Sequence, residues 1–154
     1  MTKYGNTNEP GVVTNEIISA SVNAGNDSFF TLGVVGAVDN ANATDTADES
    51  TVYELRRASR AVELFGPVDS SELTAAVIDS FNEGAFPVYA AVAPDNSGAD
   101  YETGVDTLIS EAGEDLDIVT VTTSKDTVVD YVAQAVLEMK QEHNLALAVL
   151  GFGD

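Results

Sequence analysis

Apolar residues recur along the chain in two alternating patterns, short β-branched runs and longer stretches with helical spacing. The runs at residues 30–37, 88–93, 117–122 and 145–150 predict buried strands, because nearly every position in them is apolar or β-branched. Between them, apolar residues three and four positions apart predict amphipathic helices. Strands that alternate with helices require right-handed crossovers. We therefore predict an α/β fold, a three-layer domain whose mainly parallel sheet is covered by helices.

Two interpretations fit the segment that begins at Thr51. The spacing from Thr51 to Glu54 matches a capping box, which predicts a helix from about residue 52. Alternatively, residues 51–55 form a short strand and the helix begins near Arg57. In both cases Gly66 and the following proline end the helix. Its predicted buried face is formed by Ala58, Ala61, Val62 and Phe65.

Three further helices follow from the same spacing. Ser70 or Asp69 caps the first of them, Gly84 ends it, and Pro87 opens the next strand. The predicted buried residues of this helix are Leu73, Ala76, Val77, Ser80 and Phe81. Those of the next helix, which ends at Gly113, are Tyr101, Val105, Leu108, Ile109 and Ala112. Those of the last helix are Val129, Val132, Ala133, Val136 and Leu137.

The predicted domain organisation is simple. Residues 1–18 are interpreted as an N-terminal arm and first strand, since a polar stretch is followed by β-branched residues. Residues 19–154 are interpreted as a single α/β domain, because no repeat or linker divides them and a chain of this length suits one domain.

The charge of the chain excludes several kinds of partner. Asp and Glu number 26 against six Lys and Arg, which gives a formal net charge of −20. Such a chain repels nucleic acid and anionic lipid, so neither is predicted as a partner. We interpret the acidity as adaptation to molar salt, where the Debye length falls to about 3 Å and repulsion between surface carboxylates is screened. This predicts a haloarchaeon or one of its viruses as the source.

Candidate catalytic and metal-binding residues are few. The carboxylates of the 39–50 loop (Asp39, Asp45, Asp48 and Glu49) lack the spacing of a calcium loop and are interpreted as a solvated surface. Gly33-x-x-Gly36 is half of a dinucleotide fingerprint and is interpreted as close packing. His143 is interpreted as a cation at a helix C-terminus. Asp95 and Asp126 are weak candidates for a receiver-type acidic pocket. We predict no enzyme activity, no cofactor and no metal.

Three of the six basic residues, Arg56, Arg57 and Arg60, lie within five positions of one another. One interpretation is local pairing with Glu54, Glu63 or other exposed carboxylates. The other is a docking patch for an acidic neighbouring copy, because arginine forks suit carboxylates at interfaces.

Several motifs follow one another along the chain. They are PGVVTNEI at residues 10–17, LGVVG at 32–36, VELFG at 62–66, AAVIDSFNEG at 75–84 with VYAAV at 88–92, and LDIVTV at 116–121. In this order and spacing they resemble the tail sheath protein of contractile phage tails and related contractile injection systems. The resemblance spans most of residues 10–150. The chain departs from it at Ala85-Phe86 and Ala93, where the family usually has Gly and Arg.

The resemblance implies a mechanical function without chemistry. Sheath subunits form helical rings around an inner tail tube protein, their terminal arms add strands to neighbouring sheets, and contraction drives the tube through a cell envelope. The implied partners are other copies of the chain and the tube protein, and the implied location is the virion, after assembly in the host cytoplasm at high salt. The candidate inter-subunit contacts are Val12, Val13, Ile17, Arg56, Arg57 and Arg60.

Two other functions remain open on the sequence. One is a small halophilic ligand-binding or enzymatic α/β domain, with a crevice near residues 94–98. The other is a different tail structural protein, such as a baseplate subunit. Sheath chains of this type continue into a further region and a C-terminal arm, so we expect this chain to be a fragment or a reduced relative.

Overall fold

The computed structural model describes residues 30–93, 98–143 and 148–151. Its strands are β1 (Phe30–Gly36), β2 (Tyr53–Leu55), β3 (Ala85–Val92), β4 (Ile118–Val121) and β5 (Ala148–Gly151). Its α-helices are α1 (Ala58–Phe65), α2 (Glu72–Asn82), α3 (Gly98–Ala112) and α4 (Asp126–His143). Short 3-10 turns lie at Asn40–Asn42 and Gly113–Asp115. The predicted arm over residues 1–18 lies outside the described residues.

The five strands form one sheet in the order β2-β3-β1-β4-β5. The pairs β1–β3, β1–β4 and β4–β5 are parallel, and only β2 pairs antiparallel, with β3. The predicted mainly parallel α/β fold is therefore confirmed. In the described part of the chain, β2 and β5 are the two edges of the sheet.

The sheet separates two hydrophobic cores. Val34 of the central strand packs in the core with α1 and α2, and its neighbour Val35 packs in the core with α3 and α4. A strand that is buried on both faces reads as a continuous apolar run, which is why β1 was recognisable. A Cβ on Gly33 would lie 2.8 Å from Leu108 Cδ2, so the predicted close packing at this glycine is confirmed.

The start of β3 differs from the prediction. The strand begins at Ala85, and Pro87, which was expected to open it, lies inside it. Opposite this point the register with β1 shifts, because Phe30 pairs with Ala85 and Leu32 pairs with Val88. A proline has no N–H to donate to a ladder, and such an irregularity accommodates it.

The strand β2 and the start of α1 decide between the two interpretations of residues 51–55. These residues include the strand β2, and α1 begins at Ala58, so the strand alternative is correct. The predicted cap of α2 was wrong, since Ser71 Oγ accepts the bond from the Thr74 N–H at 3.2 Å. Gly66 and Gly84 follow the ends of α1 and α2 as predicted, and both have positive φ angles, 96° and 103°.

Two predicted helix faces were partly wrong. On α1, Val62 is 39% exposed and Leu64 is buried instead. On α4, Leu137 is 50% exposed and Ala133 is also exposed. The buried row of α4 is Val128, Val132, Val136 and Met139. Successive residues of a helix are rotated by about 100° around its axis. A row of residues predicted one position too far along the chain therefore faces a different side of the helix. On α2 and α3 the predicted faces are buried or half-buried as expected.

Candidate interaction site at the sheet edge

The three clustered arginines lie at the edge of the sheet formed by β2. Arg56 and Arg57 directly follow this strand, and Arg60 lies in the first turn of α1. Arg56 and Arg57 are exposed and Arg60 is half-exposed. We refer to Arg56, Arg57, Arg60 and the neighbouring Phe86 as the arginine edge.

Arg56 is held by a carboxylate and an aromatic ring. Its Nη2 atom lies 3.0 Å from Glu54 Oε2, and its Cζ atom lies 5.5 Å from the ring centroid of Phe86. The Phe86 ring is 37% exposed. Glu54 also accepts a hydrogen bond of 3.2 Å from the Tyr89 hydroxyl, and burial, followed by this carboxylate, raises the pKa of Tyr89. The guanidinium is therefore positioned over an aromatic surface that remains open to a partner.

Arg60 connects the 39–50 loop to α1. Its Nη1 atom lies 2.6 Å from Asp45 Oδ2 and 2.9 Å from Glu63 Oε2. These hydrogen bonds, to Glu63 first and Asp45 second, raise the pKa of Arg60. The Asp45 N–H also donates to the Glu63 carbonyl at 2.8 Å. The prediction of local pairing is thus confirmed for Arg56 and Arg60.

Arg57 differs from the other two arginines. It occupies the position before the first residue of α1 and makes no side-chain capping bond. Within residues 30–93, 98–143 and 148–151, its guanidinium has no ion pair. Local pairing therefore does not account for this exposed cation.

The carboxylates of the 39–50 loop bond to separate partners. Asp39 accepts hydrogen bonds from Ser70 and Asn42, in that order of effect, and they lower its pKa. Asp48 accepts bonds from Ser50, which lower its pKa as well. In the described residues, no group of three or more Asp, Glu or His side chains is arranged to hold a metal ion.

A second polar cluster lies at the carboxyl ends of the parallel strands, where α/β sheets often bind ligands. The Tyr101 hydroxyl lies 2.8 Å from Thr122 Oγ1, and both hydroxyls bond to Glu72 Oε1, at 3.4 and 3.3 Å. Burial raises the pKa of Tyr101. The sequence pattern did not predict this cluster, although Thr122 directly follows β4 and Glu72 begins α2.

Several predicted site residues fall outside what the structure describes. Val12, Val13 and Ile17 lie in residues 1–29, and Asp95 lies in the loop 94–97, so the receiver-type pocket with Asp126 stays a prediction. His143 is the last residue of α4, but its side chain is not among those described.

Comparison with known proteins identifies no family. Neither a protein-family model nor a curated protein matches the chain. Among the described helices, none is both long enough and apolar enough to cross a membrane.

Proposed function

We propose that this chain is a structural subunit of a contractile tail sheath, which assembles in helical rings around an inner tube protein and contracts to drive the tube through a cell envelope. The observation that carries the self-assembly in this proposal is the arginine edge. On a chain of net charge −20, half of the basic residues gather on one exposed edge beside an exposed aromatic ring. Arginine and aromatic residues are enriched where protein interfaces bind most strongly.

The order of the motifs supports a sheath. LGVVG at residues 32–36 lies in the central strand β1, VELFG at 62–66 ends α1, the 75–84 segment covers the end of α2, and the 88–92 segment lies in β3. The motifs thus come from elements that pack around one sheet. The sheath interpretation itself rests on the resemblance described above.

Because the surface is acidic, association between copies of the chain depends on the salt concentration. Copies of charge −20 repel one another at low ionic strength, whereas at about 1 M salt the Debye length is about 3 Å and only groups in contact still interact. Under those conditions Arg57 can pair with a carboxylate of a neighbouring copy while the remaining surface charges are screened. The free energy of contraction then comes from contacts between subunits, and no bond is cleaved.

Electron microscopy of the full chain at about 1 M salt or above tests the proposal. We expect tubes, and we expect deletion of residues 1–18 to abolish them while the circular dichroism spectrum and the melting temperature of the monomer persist. Asn substitution of Val12, Val13 and Ile17 should reproduce the deletion, and Asn substitution of Thr14 should not. Tubes that persist in the deletion variant contradict the role of the arm.

The cluster of Glu72, Tyr101 and Thr122 favours a second candidate, a ligand-binding α/β domain. Thermal shift measurements with nucleotides and flavins distinguish it from the sheath. One ligand that raises the melting temperature by several degrees, with loss of the shift in Tyr101→Phe and Thr122→Val, would support the ligand-binding function. Discs or single rings in the micrographs would instead support the other alternative, a baseplate subunit.

A further inference from the structure

A groove lies between the end of α3 and the facing side of α4. It consists of two adjoining depressions of about 400 and 340 Å³, which share Ile109, Ser110 and Met139. We refer to it as the α3–α4 groove. It is separate from the arginine edge, whose residues lie between β2 and α1, in α1 and in β3.

The groove has an apolar floor and an acidic rim. Ile109, Ala112, Ala135 and Met139 contribute apolar surface. The rim carries Asp106, Glu111, Glu114, Asp115 and Glu138, and no Lys or Arg among the described residues lines the groove. Ile109 and Ala135 are half-buried and so leave apolar surface open to an occupant, whereas Ala112 and Met139 are buried beneath them.

The rim acids are not equally available. The Tyr131 hydroxyl donates to Asp106 at 2.6 Å, and Gln134 donates to Glu138 at 3.3 Å. Glu111, Glu114 and Asp115 are exposed and have no ion pair within the described residues. The groove therefore offers three carboxylates beside apolar side chains, which favours an occupant that is both cationic and apolar.

The arginine edge has the complementary chemistry. It presents Arg57, whose positive charge has no ion pair within the described residues, next along the chain to Arg56, which lies over the partly exposed ring of Phe86. An arginine for the rim and an aromatic ring for the floor match both properties of the groove. Each copy of the chain carries one such edge and one such groove.

We propose that the arginine edge of one copy docks in the α3–α4 groove of a second copy. This inference rests on the proposed function and names the two surfaces through which copies meet. Because the two surfaces differ, the same contact can repeat from copy to copy, which is what a helical lattice requires. Arg57 pairs with the Glu111 and Glu114 rim, and Phe86 packs on Ile109 and Ala135.

A charge-exchange experiment on the full chain tests the pairing. Self-association is measured by sedimentation velocity at about 1 M salt for Arg57→Glu and for the double variant Glu111→Arg, Glu114→Arg. We expect each variant alone to associate at least ~10-fold more weakly than the unmodified chain, because each places like charges against one another. An equal mixture of the two variants, and the triple variant in one chain, should regain most of the lost affinity.

Matched controls separate the contact from general charge effects. The double variant Asp79→Arg, Glu83→Arg, at the end of α2 and directly after it, changes the net charge as the groove variant does. Lys140→Glu on α4 changes it as Arg57→Glu does. Both controls should keep at least about one third of the affinity of the unmodified chain for itself.

The outcomes distinguish this pairing from the sheath proposal. Tubes that form equally well with Arg at positions 111 and 114 would overturn the pairing and leave the sheath proposal intact. Loss of association in the groove variant without loss in Arg57→Glu would assign the groove to another occupant, such as residues 1–29 or the tube protein, and would also overturn the pairing. An unmodified chain that never associates would overturn both.

Discussion

The arginine edge and the α3–α4 groove hold their charges in different ways. At the edge, Arg56 and Arg60 are neutralised in place by Glu54, Asp45 and Glu63. In the groove, five carboxylates share a rim, and no Lys or Arg of the described residues lines it. The edge therefore contributes to the folding of its own chain, whereas the groove carries repulsion that salt or a partner must relieve. Changes to Arg56 or Arg60 should lower the stability of the monomer, and changes to Glu111 or Glu114 should not.

The largest expected effect is a loss of stability when Gly66 is substituted. This glycine ends α1, the helix that carries Arg60 of the edge. Gly66 has a φ of 96°, and a Cβ there would lie 2.5 Å from the Asp39 carbonyl oxygen. Gly66→Ala should lower the free energy of unfolding by about 1–3 kcal/mol, measured by urea denaturation. Gly98→Ala is the control, because its Cβ would meet only Val128 at 3.9 Å and Thr127 at 4.0 Å. Equal losses at both glycines would show that the end of α1 is not specially constrained.

A smaller effect separates the edge from the rim directly. Arg60→Ala should lower the melting temperature at low salt, because the loop loses its bonds to α1, and by less at about 1 M salt. Glu111→Gln with Glu114→Gln should raise the melting temperature slightly at low salt, since repulsion along the rim is removed. A thermal melt of both variants at two salt concentrations gives the comparison. If both variants changed the melting temperature equally and in the same direction, the edge and the rim would not differ in their effect on stability.

The smallest effects are opposite responses to pH. In the 39–50 loop, which Arg60 of the edge contacts, the lowered pKa values of Asp39 and Asp48 contribute stability above their ordinary value of 3.8, and this contribution is lost as the pH falls below it. Beside the groove, the hydrogen bond to Asp106, followed by burial, raises the pKa of Tyr131 from 10.0 to about 12. The neutral hydroxyl therefore contributes stability below pH 10 that is lost as the pH rises towards 12.

Ultraviolet titration of the tyrosines measures the alkaline response. The last tyrosine to ionise should disappear in Tyr131→Phe, and Asp106→Asn should move its pKa down towards 10.0. For the acid response, Ser70→Ala should raise the Asp39 pKa in a carboxyl titration by nuclear magnetic resonance. An unchanged tyrosine titration in Asp106→Asn would show that this hydrogen bond does not control Tyr131.

Local signals in the sequence predicted much of the fold. The apolar runs located four of the five described strands. Gly66 and Gly84 located two helix ends, because the positive φ angle after each helix depends on a single residue. The buried row of α4 was misplaced because Val128 and Val129 are adjacent apolar residues, and the sequence alone does not decide which of them faces the core. Tertiary packing, which chose Val128 over Val129, set that rotation.

The candidate site was predictable only in part. The clustering of Arg56, Arg57 and Arg60 is visible in the sequence, and so are two of their carboxylate partners. The bond from Arg60 to Asp45 spans 15 positions and required the fold. The groove was not predictable either, because Ile109 and Met139 meet only when α3 and α4 pack side by side.

Electron microscopy of the full chain at about 1 M salt or above tests the central claim most directly, namely that the chain acts by assembling with its own copies. The account predicts tubes with a helical repeat, which disappear when residues 1–18 are deleted. Solitary particles at every concentration and salt level examined would contradict it.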